Sequence, residues 1–175
     1  MRSWWACLVA LLLAACADVA PRLDSSPTLG PPVSRFAAEG RLSLRQGDRR
    51  DHLRFRWEHA PDGDVVLLMS PLGQGLAELR RNASGATLKQ AGQPAVAADS
   101  LPRLAHQVFG AALPLEAMTD WMRGARPDLT GEVDGWRVVI SDTSPFHQRR
   151  LLRVMDARRD DVDFKLIVDD WDLSE

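Results

Sequence analysis

"HLRFRWEHAPDGDVVLLMSPLGQGLAELRR", residues 52–81, decides the fold. Leu53, Phe55 and Trp57 alternate with Arg54, Arg56 and Glu58. That is the period-2 pattern of a strand with one face buried. "APDGD" then holds the proline and glycine of a tight turn, and "VVLLMS" is an apolar run of strand length. "SPLG" makes a second turn, and "LAELRR" reads as a third strand. Three strands joined by such short connections must run antiparallel, because a parallel crossover needs a dozen or more residues.

The second turn is unusual for its leucine. Turns are ordinarily polar, yet Leu72 stands between Pro71 and Gly73. A phosphate-cradling loop is excluded. A dinucleotide fingerprint needs a third glycine where Glu78 stands, a P-loop needs Gly-Lys-Ser/Thr, and the segment leads into a strand rather than a helix. A plain hairpin with Leu72 turned inward and an apolar tip held outward by Pro71 and Gly73 both remain open at this level.

The same alternation extends upstream. In "GRLSLR", Leu42 and Leu44 share a face opposite Arg41, Ser43 and Arg45, and "QGDRRD" forms the hairpin loop to the next strand. Downstream, "ATLKQ" adds a fifth strand after "NASG". The period then changes. In "DSLPRLAHQVFG", Leu101, Leu104, Ala105, Val108 and Phe109 fall at helical spacing, with Asp99 or Ser100 as N-cap and Pro102 in the first turn. "LPLEAMTDWMRG" repeats the pattern through Leu115, Met118, Trp121 and Met122, and Gly124 ends it. Strands resume in "GWRVVIS", "RLLRVMDA" and "VDFKLIVDDW", the last with Val162, Phe164, Leu166 and Val168 on one face. The expectation is an α+β chain, mainly β: about five strands, two helices and three strands, as an antiparallel sheet with helices on one face.

The N-terminus is of another kind. "MRSWWACLVALLLAAC" has one basic residue, Arg2, and an apolar run from Trp4 to Leu13, shorter than the roughly 20 residues that span a bilayer. It reads as a secretory signal. Leu13-Ala14-Ala15-Cys16 resembles the bacterial lipobox, in which the cysteine thiol is acylated and cleavage leaves it as the N-terminus. Residues 1–15 are therefore expected to be removed and Cys16 to carry lipid, with residues 16–34, which hold four prolines, as a flexible tether to a domain over 35–175. In the bacterial sorting rule, aspartate directly after the acylated cysteine retains a lipoprotein in the inner membrane. Ala17 stands there instead, so the outer membrane is the expected destination.

Removal of residues 1–15 takes away one of the chain's two cysteines, Cys7, and leaves Cys16 for the lipid. No thiol then remains for a disulfide, a metal or a nucleophile. The mature chain keeps 21 of the 22 basic side chains against 24 acidic ones, which gives no basic excess for nucleic acid. His52, His59, His106 and His147 are scattered, no G-x-S-x-G elbow occurs, and Asp160-Asp161 and Asp169-Asp170 are adjacent pairs that belong to turns or opposite strand faces. No catalytic constellation and no cofactor motif emerges, and no enzyme is expected.

"FAAEGRLSL", "FRWEHAPDGDVVLLMSPLGQGLAEL", "LPLEAMTDWMRGARP", "GWRVVIS" and "LIVDDW" resemble, in order, the outer-membrane lipoprotein receptor family LolB, over most of residues 36–171. "SDTSPFHQRRLLRVMD" fits only loosely. The resemblance implies an incomplete antiparallel β-barrel with a lid of short helices enclosing an apolar cavity. It implies a monomer that receives acylated lipoproteins from the periplasmic carrier LolA and inserts them into the outer membrane, at its periplasmic face and without nucleotide hydrolysis. Pro71, Leu72 and Gly73 match the loop whose exposed leucine touches the membrane lipids. Taken with the alternation, the acyl-chain cavity is expected to be lined by Leu42, Leu44, Leu53, Phe55, Trp57, Val66, Leu68, Val138 and Phe164, with Leu104, Val108, Met118, Trp121 and Met122 from the lid. The alternative is an outer-membrane lipoprotein that binds lipid or another hydrophobe and has no transfer role.

Overall fold

The alternation around residue 55 builds one face of an antiparallel sheet that has ten strands among the described residues. The computed structural model describes residues 28–109, 113–147 and 149–173, so the expected signal, Cys16 and the tether up to residue 27 lie outside the described residues. In chain order the strands are β1 Phe36–Gln46, β2 Arg49–Ala60, β3 Gly63–Met69, β4 Gly75–Asn82, β5 Gly85–Gln90 and β6 Val96–Ala98. Helices α1 Leu101–Phe109 and α2 Leu115–Met122 follow. The chain returns to the sheet through β7 Thr130–Val133, β8 Trp136–Phe146, β9 Arg149–Arg159 and β10 Val162–Asp172.

The spatial order is β6-β5-β4-β3-β2-β1-β10-β9-β8-β7. Every neighbour is a sequence neighbour except β1 and β10, which pair over Ala37–Gln46 and so place the first and last strands mid-sheet. The edges are β6 and β7, and the helical segment connects them. β5 and β9 lie on opposite halves of the sheet, yet α1 packs on β5 and α2 on β9. The sheet therefore curls around the helices without closing.

Three features of this fold depart from the sequence expectation. Among the described residues there are six strands before the helices and four after them, because β6 and β7 are short and their sequences lack clear alternation. β8 and β9 also run further than "GWRVVIS" and "RLLRVMDA" suggest, through Pro145 and with register shifts beside Asp142. The tether, moreover, is not free up to residue 34. Leu29 is buried in the main core, Gly30 N–H donates to Arg150 O at 2.8 Å, and Val33 N–H donates to Arg123 O at 2.8 Å. One apolar side chain and a few backbone bonds suffice to dock a proline-rich segment on the barrel body.

Glycine is required where β1 meets β10. A β-carbon on Gly40 would stand 2.0 Å from Ile167 O and 3.0 Å from the Phe55 ring, next to the register shift at Glu39/Gly40. The close backbone approach leaves no room for a side chain.

Candidate functional site

The inward side chains of β1, β2 and β3 face the helices across a cavity of about 300 Å3. Leu42, Leu44, Leu53, Phe55, Trp57, Val66, Leu68, Phe164 and Met118 all stand on its wall. Eight further apolar residues not expected there also line it: Leu76, Ala77, Leu79, Leu88, Leu101, Leu113, Leu115 and Leu166. The volume lies at the small end of ligand-binding cavities.

The remaining expected lining residues are placed elsewhere. Trp121, Met122 and Val138 are buried in the main core and Leu104 in a second cluster with Leu79, Ala86, Leu88 and Leu101, and none of the four reaches the cavity. Trp121 is turned toward the loop after α2, where its indole N–H donates to Asp128 O at 3.0 Å and its ring packs on the position of Gly131. The helical stripe identifies the inward face of α2, but that face divides between cavity and closed core one turn apart. The side chain of Val108 lies outside the described residues.

The two ends of the cavity differ. One end is sealed. Phe36 packs on Trp57, His59 and Trp171, with ring centroids 6.3, 5.2 and 5.4 Å away. Beside this cluster Asp64 is buried to 2% exposure on the cavity wall. Its Oδ1 accepts from Trp57 Nε1 at 3.0 Å and His59 Nδ1 at 2.7 Å, and its Oδ2 accepts from both Nε and a terminal nitrogen of Arg81. Burial pushes the carboxyl's pKa up, but hydrogen bonds from His59, Trp57 and Arg81, with the charge of Arg81, outweigh it and hold the pKa below the ordinary carboxylate value. Sequence reasoning missed this residue, since "PDGD" reads as a solvated turn. The signal in the sequence was the register, which sets Asp64 opposite His59 on one side and Arg81 on the other.

The other end is the mouth. There the wall becomes polar through Arg49, Asp51 and Gln90, and Leu76 lines the cavity while 39% exposed. The β3–β4 turn stands at this same end, and it resolves the question left by the sequence. Ser70 O accepts from Gly73 N–H at 2.9 Å, Ser70 N–H donates to Gln74 O at 2.8 Å, and Gly73 has φ +86°. This is the bond pattern of a three-residue hairpin loop of Pro71, Leu72 and Gly73 with the glycine in the left-handed region. Leu72 at its tip is 98% exposed. An isolated exposed leucine needs no special account. Here, however, a built turn presents it beside the mouth of an apolar cavity, with half-exposed Leu76 between them.

Among the described residues no group of three or more His, Cys, Asp or Glu is placed to hold a metal ion, and no helix is long and apolar enough to cross a membrane.

Fold and cavity together define a class: an open antiparallel β-barrel, closed on one face by helices, around an apolar cavity with one open end. Solved structures of low sequence identity share this fold. A LolA superfamily protein from Nitrosomonas europaea aligns with TM-score 0.56 at 10% identity, covering 84% of this chain and 89% of that one. A DUF1329 family protein from Desulfovibrio piger aligns with TM-score 0.58 at 9% identity, covering 86% and 87%. The sequence is more specific. The profile of the outer membrane lipoprotein LolB matches residues 34–171, and the chain belongs to the LolB family of outer-membrane lipoproteins. It is 31% identical to the outer-membrane lipoprotein LolB of Azoarcus sp. (strain BH72), covering 96% of this chain and 93% of that one. With the LolB of Cupriavidus pinatubonensis it shares 37% identity over 73% of this chain and 70% of the other.

Proposed function

We propose that this protein accepts acylated lipoproteins from a LolA-type periplasmic carrier and passes their acyl chains into the outer membrane, to which its own acylated Cys16 anchors it. The observation that carries the reading is the placement of Leu72, on a hydrogen-bonded turn at the open end of the apolar cavity. Each methylene withdrawn from water is worth roughly 0.8 kcal/mol. Several long chains released into water would cost tens of kcal/mol by that figure, so cargo needs a continuous apolar route. Trp57, Phe55, Leu53, Leu76 and then Leu72 supply one from the sealed end to the outside. Transfer runs downhill from weaker to stronger apolar surroundings, and no nucleotide is consumed.

Three features support the arrangement. The sealed end makes the mouth the way in and out. The cavity is small for several acyl chains, so loading widens it, and the helix α2 that bears Met118 has only 8 residues. Methionine is suited to a wall that must fit varied chains.

The test is a transfer assay with a soluble form lacking Cys16. Carrier loaded with an acylated lipoprotein is mixed with it, and the cargo is followed in the absence of ATP. Movement of cargo onto this protein, and on to added vesicles, is the expected result. Cargo that stays on the carrier while the added protein is folded would overturn the transfer role and leave lipid binding alone.

A further inference from the structure

The outer face of the sheet beside the Leu72 loop carries a second feature that the transfer reading does not use. A cleft of about 360 Å3 is lined by Arg41, Ser43, His52, Arg54 and Lys165 and is bounded by Pro71 of the loop itself. Among the described residues no carboxylate lines it. Arg41 and Arg54 stand directly opposite each other on β1 and β2, as do Ser43 and His52. Lys165 stands opposite Ser43 on the other side, on β10. Like charges facing each other across a sheet destabilise it. Arg41 is balanced by Asp169 at 2.7 Å and Lys165 by Asp156 at 2.8 Å, both from outside the cleft. Arg54 is exposed and makes no ion pair or side-chain hydrogen bond among the described residues, although many other arginines of this surface do. The fold thus keeps an unbalanced cation opposite another, at the point where β2 passes the end of β3 and the loop begins.

We propose that this cleft is a phospholipid headgroup site: Arg54, with Arg41, Lys165 and the hydroxyl of Ser43, holds the phosphate of an anionic lipid while Leu72 lies in the bilayer. This rests on the reading that Leu72 enters the membrane and extends it. Guanidinium groups match phosphate oxygens with paired N–H donors, and Ser43 adds a neutral donor. A membrane places phosphates a few ångströms outside its acyl chains, so a leucine tip and a phosphate cleft on adjoining surfaces can be satisfied together. One leucine alone anchors the loop without fixing its angle. A headgroup bound on the β1–β2 face fixes the barrel's tilt and so turns the mouth toward the membrane.

The experiment is vesicle flotation with the chain from residue 17 onward, since all of the described fold lies in residues 28–173. One set of vesicles is phosphatidylcholine alone, and the other contains roughly one-third phosphatidylglycerol, enough for an anionic surface. Arg54→Gln removes an exposed side chain with no partner, so the fold is retained, which circular dichroism checks. It should weaken binding to the anionic vesicles about fivefold and leave binding to phosphatidylcholine unchanged. Arg54→Lys, which keeps the charge but not the paired donors, should restore only part of the loss. Arg80→Gln, on β4 away from the loop, should change neither. Equal losses for Arg54→Gln and Arg80→Gln, or none for Arg54→Gln, would overturn the site. Inorganic phosphate should release the protein more than chloride of equal ionic strength does, because it competes for the same donors; equal release by the two salts would overturn a phosphate contact and leave only general charge attraction. Leu72→Glu separates the two readings: it should weaken binding to both kinds of vesicle, and its failure to do so would sink membrane entry by the loop whatever Arg54 does.

Discussion

The indole N–H of Trp57 donates to Asp64 Oδ1 at 3.0 Å, so the aromatic residue that seals the cavity is tied to a buried carboxylate on the neighbouring strand. His59 and Arg81 complete the carboxylate's partners. Arg81 is 32% exposed and can turn to water, but the buried donors of Trp57 and His59 would lose their acceptor, which typically costs about 1–3 kcal/mol. Asp64→Ala should therefore destabilise the protein by about that amount, and urea denaturation measures it. The pH dependence has a definite sign. The folded Asp64 carboxyl titrates below its ordinary value of 3.8, so its contribution is fully present above that value. It is lost as pH falls from there through the depressed folded pKa. In the range below pH 4, Asp64→Ala should show a shallower loss of stability than the parent chain.

The division of α2 between cavity and core yields a paired prediction. Val66 stands on the cavity wall and is half-buried, so Val66→Phe adds bulk into empty space. It should lower affinity for a fluorescent fatty acid about tenfold while unfolding at the parent's temperature or above. Met122 is buried in the core away from the cavity. Met122→Ala should cost about 2–5 kcal/mol of stability, with probe affinity at temperatures where it is folded close to the parent's. Equal loss of probe binding in both variants would mean that the cavity extends past Met118 when occupied.

Much of this organisation is legible in the sequence because strand alternation is local. Leu53, Phe55 and Trp57 could face only one way together, and they do. What alternation cannot state is what the shared face meets. Val138 on β8 obeys the same rule as Phe55 on β2, yet it packs in closed core because β8 lies beyond β9 and β10, on the other half of the sheet. That assignment depends on the β1–β10 pairing, a contact between the two ends of the domain. Asp64 was hidden for a related reason. A carboxylate after Pro-Asp-Gly is ordinarily solvated, and only the cross-strand partners His59 and Arg81 make its burial tolerable. Leu72, by contrast, was readable as an anomaly: an apolar residue where the loop has no use for it.

Gly40 provides a check on that long-range pairing. Any side chain there meets Ile167 O at 2.0 Å, backbone that cannot rotate away. Gly40→Ala must separate β1 from β10 or bend one of them, and overpacking of this kind costs roughly 1–3 kcal/mol or more. Hydrogen exchange should show amides of both strands losing protection together. Loss confined to β1 would mean that β10 stays in place and the strain is taken up locally.

Leu72 gives the prediction that bears most on function. Its side chain touches almost nothing in the fold, and Gly73, not Leu72, takes the left-handed conformation of the turn. Surface substitutions of this kind change stability by about 0.5 kcal/mol or less. Leu72→Glu should therefore unfold at the parent's temperature and bind a fluorescent fatty acid as well as the parent does, since the residue is not on the cavity wall. It should still take lipoprotein from the carrier, yet deliver it to vesicles far more slowly, because a carboxylate at the loop tip must be desolvated to enter acyl chains. Leu72→Met keeps an apolar tip and should deliver normally. The informative result is the split between loading and delivery. If Leu72→Glu lost both steps, the loop would belong to the surface that meets the carrier, and if it lost neither, delivery would proceed through another part of the mouth, with half-exposed Leu76 the next residue to replace.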